Sequence, residues 1–186
     1  MLTSLVLILL GTLCRVVEHP PNAVALGAVA LFAGAKLPRR WAWIVPIAAM
    51  LLSDLYLDWN SGRPMFTFSR LTIYGTYAAI TLLGGVARRA KGRTAPIALA
   101  GLSMTGSGLF FVTTNFAEWI AGPLRLYPIT WDGLVACYVA AIPFVQNTII
   151  ADLAGTALLF GLDALARHVS VGRDPKPAPL SDLAEV

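Results

Sequence analysis

From Pro143 to Ala166 the chain reads PFVQNTIIADLAGTALLFGLDALA. A helix that crosses the hydrocarbon core of a bilayer needs about 20 mostly apolar residues, and this stretch has that length and composition. Pro143 suits the opening turn of such a helix, where its missing N–H costs nothing. The same pattern recurs upstream at Leu2–Val17, Asn22–Leu37, Trp41–Trp59, Phe68–Ala87 and Ala95–Ile120, the first two being short. Pro20-Pro21, Pro38-Arg39-Arg40, Asn60-Ser61-Gly62-Arg63-Pro64 and the run from Arg88 to Arg93 punctuate the series. The pattern predicts an all-α, polytopic membrane protein. Six transmembrane helices occupy residues 1–169, and a disordered cytoplasmic tail follows over 170–186.

Composition agrees. The chain is 57% hydrophobic and 13% charged, whereas a soluble domain is about half apolar and about a quarter charged. The net charge of +4 is not a nucleic-acid signal, because the basic residues fall in short clusters between apolar segments. Cys14 and Cys137 match no zinc or redox spacing. The apolar stretch from Leu2 lacks a basic leader region and a small-residue cleavage site, so it reads as a retained helix.

Lysine and arginine set the orientation, since they accumulate in cytoplasmic loops. With the amino end inside, ten of the 14 fall on the cytoplasmic side: Lys36, Arg39, Arg40, Arg88, Arg89, Lys91, Arg93, Arg167, Arg173 and Lys176. Arg15, Arg63, Arg70 and Arg125 remain outside. Both ends are therefore expected in the cytoplasm. The fifth connection, Gly122 to Ile142, is long, and its second half, Gly133–Ile142, is apolar but too short to span. It reads as a re-entrant or interfacial helix, which needs cover from protein or a wet cavity.

Polar groups within spans are costly and usually face the bundle interior or a water-filled cavity. Asp54 and Asp58 lie one turn apart on the third span. Asn115, Glu118 and Trp119 share a face near the outer end of the fifth, and Asn147 and Asp152 lie in the outer half and middle of the sixth. Asp152 is the deepest of them. Either it contacts a solute, or it is a protonated or paired carboxyl that locks helices together. His19, Asn22, Trp59, Arg70, Tyr127, Cys137 and Tyr138 lie in or beside the outer loops. Apolar walls with a few placed polar groups describe a small-molecule pocket. The candidate contacts are Asn22, Asp54, Trp59, Arg70, Asn115, Trp119, Tyr127, Cys137, Tyr138, Asn147 and Asp152, although tryptophan and tyrosine also form interfacial belts. Cys137 is either a small buried hydrophobe or a soft ligand for a metal centre.

Ala23, Gly27, Ala30 and Gly34 form one smooth stripe on the second span, and Gly101, Thr105 and Gly108 another on the fifth. Such stripes let helices approach closely in lipid, either inside the chain or against a partner membrane protein. The first is the candidate docking face. No G-x-x-x-x-G-K-[ST], H-E-x-x-H or nucleophile elbow occurs, and no cofactor is implied. Active uptake would then require an ATPase module or an ion gradient.

Several strings resemble a family of small bacterial membrane proteins described as uncharacterised transport proteins. They are His19-Pro20-Pro21-Asn22-Ala23, Ala30-Leu31-Phe32-Ala33-Gly34-Ala35, Ser53-Asp54-Leu55 and Thr114-Asn115-Phe116-Ala117-Glu118-Trp119. Tyr127-Pro128-Ile129-Thr130, Gly133-Leu134, Cys137-Tyr138, Ala141-Ile142-Pro143-Phe144, Asn147-Thr148 and Asp152-Leu153 complete them. The resemblance runs from residue 15 to about residue 162, and it implies a place in the inner membrane of a bacterium. A second likeness, of architecture only, is to the substrate-binding S subunits of energy-coupling-factor vitamin transporters. Those subunits have six helices with both termini inside, bind a vitamin from the outer loops and dock on a partner through small-residue faces. Solitary cobalamin-specific members use a loop cysteine to ligate cobalt, and Cys137 would be its counterpart if the ligand were a corrinoid. The implied function is binding of a small, vitamin-like organic solute from the outer side for transport. A ligand-free membrane scaffold is the alternative, and a membrane enzyme using Asp54 or Asp152 a third reading.

A cysteine introduced between Arg88 and Arg93 should resist a membrane-impermeant thiol reagent in intact cells, whereas one near Ser61 should react. The reverse labelling would overturn the orientation.

Overall fold

A computed structural model describes residues 1–61, 67–122 and 124–171. They form six α-helices: α1 Leu2–Val16, α2 Leu26–Lys36, α3 Arg39–Ser61, α4 Phe68–Ala87, α5 Ala95–Ala121 and α6 Trp131–Val171. A 3-10 turn at Gly92–Thr94 leads into α5, where Pro96 in the first turn costs no hydrogen bond. Thr67 opens α4 by accepting the Arg70 N–H at 3.1 Å, a side-chain cap of an otherwise orphan donor. No strand occurs among the described residues. Helices α3, α5 and α6 are long and apolar enough to cross a membrane.

Helix α2 is the hub. It packs on all five other helices, and ten of its eleven residues are buried. Its sequence, LGAVALFAGAK, has no polar face, as a helix surrounded on every side requires. Leu26, Val29, Leu31, Val45, Met50 and Ile80 are the largest aliphatic and thioether side chains to be fully buried. The outside is also apolar: Leu5, Leu9, Leu13, Leu55, Leu71, Ile97, Ile150 and Leu158 are all exposed. Exposed leucine and isoleucine on this scale suit lipid and not water.

Three expectations change. Gly133–Ile142 is not a separate re-entrant helix, and Pro143 does not open the last one. Helix α6 runs unbroken for 41 residues with Pro143 inside. Its start is set by Thr130, whose Oγ1 accepts the Gly133 N–H at 3.2 Å, a side-chain cap, with Asp132 in the first turn, where the helix dipole favours an anion. Pro143 removes one backbone bond. Packing on α5 holds the arm on its N-terminal side, where Tyr138 Oη donates to the Val112 carbonyl at 2.6 Å and its ring meets Phe111 edge-on at 5.5 Å.

Second, α2 starts at Leu26 and not at Asn22. Two prolines followed by Asn22 with φ at 61° prevent an earlier start, a left-handed conformation that asparagine tolerates. The true irregular segment thus lies between α1 and α2. Third, the stripe Ala23, Gly27, Ala30 and Gly34 is not a free docking face. Ala30 is fully buried, a Cβ on Gly27 would run into Asp152, with Cγ 2.7 Å away, and Gly34 meets Gly84 of α4. Of the positions given to the tail, Ser170 and Val171 belong to α6; positions 172–186 lie outside the described residues, as does Arg63.

The α2–α4 crossing depends on two glycines. A Cβ on Gly84 would strike the Leu31 carbonyl and approach Gly34 Cα to 2.8 Å. Gly85, the next residue, has nothing within 4 Å of such an atom. Gly84→Leu should therefore cost about 3 kcal/mol by overpacking, and Gly85→Leu less than about 0.5 kcal/mol. Thermal unfolding of the two purified variants in detergent measures the contrast, and equal midpoints would refute the crossing.

Candidate functional site

The irregular segment between α1 and α2 reaches the level of the middle of α6, where each exposed backbone group needs a protein partner. Asn147 Nδ2 donates to the Pro21 carbonyl at 2.9 Å, and Thr148 Oγ1 to the Asn22 carbonyl at 3.2 Å. One helical turn further along α6, Asp152 meets the start of α2. Its Oδ1 accepts the Ala28 N–H at 3.1 Å, and its Oδ2 accepts the Ser107 hydroxyl at 2.9 Å. The Gly27 N–H also bonds to it. Asp152 is thus an N-cap supplied by another helix, and it matches the positive end of the α2 dipole. At the opposite end Arg88 donates from Nε to the Gly34 carbonyl at 2.9 Å and from Nη2 to the Leu37 carbonyl at 2.7 Å.

A second polar group ties α1, α3 and α4 together at the end where α1 finishes. Arg15 reaches Asp54 at 2.6 Å and Ser53 Oγ at 2.8 Å. Arg70 grips Asp58 with two nitrogens, one of them 2.9 Å from Oδ1, and lies 3.6 Å from Asp54. Tyr74 Oη donates to Asp54 at 2.9 Å. Two aspartates and two arginines neutralise one another. Removing one partner of such a pair leaves a charge uncompensated, at roughly 3–5 kcal/mol when buried.

Between these two groups lies a two-lobed cavity. One lobe, of about 220 Å³, is lined by Ser69 and Ile73 of α4, Phe111, Thr114, Asn115 and Glu118 of α5, and Ala141 and Val145 of α6. The other, of about 270 Å³, is lined by Arg15, His19, Val24, Leu57 and Tyr77. Asn22, Ile73, Phe110 and Thr148 line both. Ligand sites usually measure about 300–1,000 Å³, so each lobe is small and the joined space reaches the lower part of that range. The chain belongs to a family of unknown function, DUF6580, which matches residues 1–176. No curated protein matches the chain, and no solved structure matches it.

Of the residues expected to meet a solute, Asn22 and Asn115 line the cavity. Asp54 and Arg70 belong to the ion-pair group beside it, and Asn147 holds the Pro21 carbonyl. Asp152 is committed to capping. Trp59 is 90% exposed. Trp119 donates to the Pro128 carbonyl at 3.0 Å, and Tyr127 is half-buried; neither lines a lobe. Tyr138 instead borders an open apolar groove with Phe116, Trp131 and Val135. Cys137 is buried, with Sγ donating to the Asn115 carbonyl at 3.4 Å. It lines neither lobe, which removes it as a metal ligand to a solute in this cavity.

The lining residues not singled out include Ser69, Phe110, Phe111, Thr114 and Thr148. Thr114, Asn115 and Glu118 lie on adjoining parts of one helix face and could have been read as a group. Nothing local marks Ser69.

Asp152→Ala leaves the Gly27 and Ala28 donors unpaired at about 1–3 kcal/mol each. The expected loss in thermal stability is therefore large, while Asp152→Asn keeps one acceptor oxygen and should lose roughly half as much. If Asp152→Ala melts like the parent protein, Asp152 is not the cap of α2.

Proposed function

We propose that the chain crosses the membrane six times with both ends in the cytoplasm and binds a small, vitamin-like organic solute from the outer side for transport. The observation that carries the reading is the two-lobed cavity, with its apolar walls and placed polar groups. The cavity lies at the ends of α1, α3 and α5 and the starts of α4 and α6, the outer side in that topology. Lys36, Arg39, Arg40, Arg88, Arg89, Lys91, Arg93 and Arg167 all belong to the opposite end. Arg15 and Arg70, at the cavity end, are held by aspartates. A corrinoid is not part of the proposal, because Cys137 is turned to α5.

In this reading the chain acts like the S subunits of energy-coupling-factor transporters, a likeness of architecture. The energy for uptake then comes from a separate ATPase module or an ion gradient. The scaffold alternative draws support from the acids: Asp54, Asp58 and Asp152 are all paired. It leaves without a purpose the cavity and Glu118, which has no partner among the described residues.

Mass spectrometry of small molecules retained by the purified protein tests the proposal. A retained solute should be lost, or held at least about tenfold more weakly, in Asn115→Ala, since an unmade hydrogen bond in a buried site costs about 1–3 kcal/mol, and in Phe110→Ala, which removes an apolar wall of both lobes. Trp59→Ala should retain it fully. Solute retention that ignores both cavity variants would place the site elsewhere.

A further inference from the structure

The two lobes differ in their charge. Glu118 lines the first, and its side chain has no hydrogen-bond or ion-pair partner among the described residues. Its carboxyl folds over the end of α5, where only a glycine at 122 leaves room: a Cβ there would come within 2.6 Å of Glu118 Cδ. Ser69 Oγ, on the same lobe, is shielded from solvent and has no partner among the described residues. An anion and an unused hydroxyl in a partly closed space call for a donor-rich, positively charged group.

The second lobe offers hydrogen-bond donors, although Asp54 balances the charge of its arginine. Arg15 contributes a guanidinium with five N–H donors, and Asp54, Ser53 and Met50 occupy only part of that fork. His19 adds a ring nitrogen. Its Nδ1 lies 2.8 Å from the Pro20 carbonyl, an oxygen that only accepts, so Nδ1 is the donor there and Nε2 of the neutral ring is an acceptor. The N–H groups that Arg15 has to spare suit a strongly accepting group such as a carboxylate. Phe110 lines both lobes and offers an apolar surface to what lies between the two poles.

We propose that the cavity takes a small zwitterion of the amino-acid type, with its ammonium group beside Glu118 and Ser69, its carboxylate beside the spare N–H groups of Arg15, and its apolar part against Phe110. The assignment rests on the solute-binding reading above and names the class of that solute. A simple carboxylate would satisfy one lobe and meet repulsion from Glu118 if it entered the other. A simple amine would leave the Arg15 donors unused. The combined space excludes large zwitterions.

Three probes of one shape separate these cases: phenylalanine, phenethylamine, which lacks the carboxylate, and 3-phenylpropanoate, which lacks the ammonium. Calorimetry on the full chain in detergent should give tightest binding for phenylalanine, with each single-charge analogue weaker by about tenfold or more. Glu118→Gln should weaken phenylalanine by a similar factor, and Glu118→Asp, which keeps the charge, should lose less. Asp132→Asn, an exposed acid at the same end and outside both lobes, should change nothing. Thermal melting of each variant separates misfolding from lost recognition. Equal binding of either analogue and phenylalanine, or indifference of all three probes to Glu118→Gln, overturns the zwitterion. Binding of none of the three overturns it too. A different retained solute, still lost in Asn115→Ala, would then leave the cavity standing as a binding site for another class.

Discussion

Helix α2 is too short to span a bilayer and too buried to finish in water. Its eleven residues extend about 17 Å, against a hydrocarbon thickness of about 30 Å. A helix leaves four donors and four acceptors unsatisfied at its two ends. Here those ends lie inside the protein, so side chains of other helices must close them. Asp152 of α6 does so at the start, and Arg88 of α4 at the finish. Each has the sign that the helix dipole favours at its end. The two contacts also fix the height of α6 and α4 relative to α2, and the glycine crossing of α2 and α4 leaves little freedom to slide.

The cavity is a consequence of that short helix. Where a full span would carry side chains up to the end of the bundle, this chain has Pro20, Pro21 and a left-handed Asn22. The segment is thin and polar, and α6 holds it by its carbonyls through Asn147 and Thr148. Space remains between it and α4, α5 and α6. The same polar backbone that must be satisfied at this depth lends the space its polar character. Thr148 has both tasks: it anchors the segment and lines both lobes.

The limits of α3, α4 and α5 were legible in the sequence, because apolar runs bounded by arginine, proline and glycine have one reading. The small-residue stripe was legible as close packing, but its partner was not, since Gly34 against Gly84 is a contact over some fifty positions. Asp152 stood out as costly, yet its task was hidden: a cap is ordinarily found next to its own helix, and this one comes from α6. Pro143 misled, because proline marks a helix start in isolation while neighbouring helices can carry one inside. Cys137 and Tyr138 misled through direction. They lie on the face of α6 that meets α5, and residue type alone does not say which face is turned to a cavity.

The acids of the bundle show why environment and not residue type decides their use. Asp54 and Asp58 are neutralised by Arg15 and Arg70, and the group joins three helices. Asp152 is satisfied by two backbone donors and a hydroxyl, and it closes a fourth. None of these has capacity to spare for a solute without giving up a contact that holds the fold. Glu118 differs on each count. Among the described residues it has no cation and no cap to make, and a glycine clears its way over the end of α5. A carboxylate in such a place keeps a cost that a bound ammonium group would relieve. Stability and recognition are therefore carried by different acids, and the one that contributes least to holding the helices together has the most to gain from a ligand.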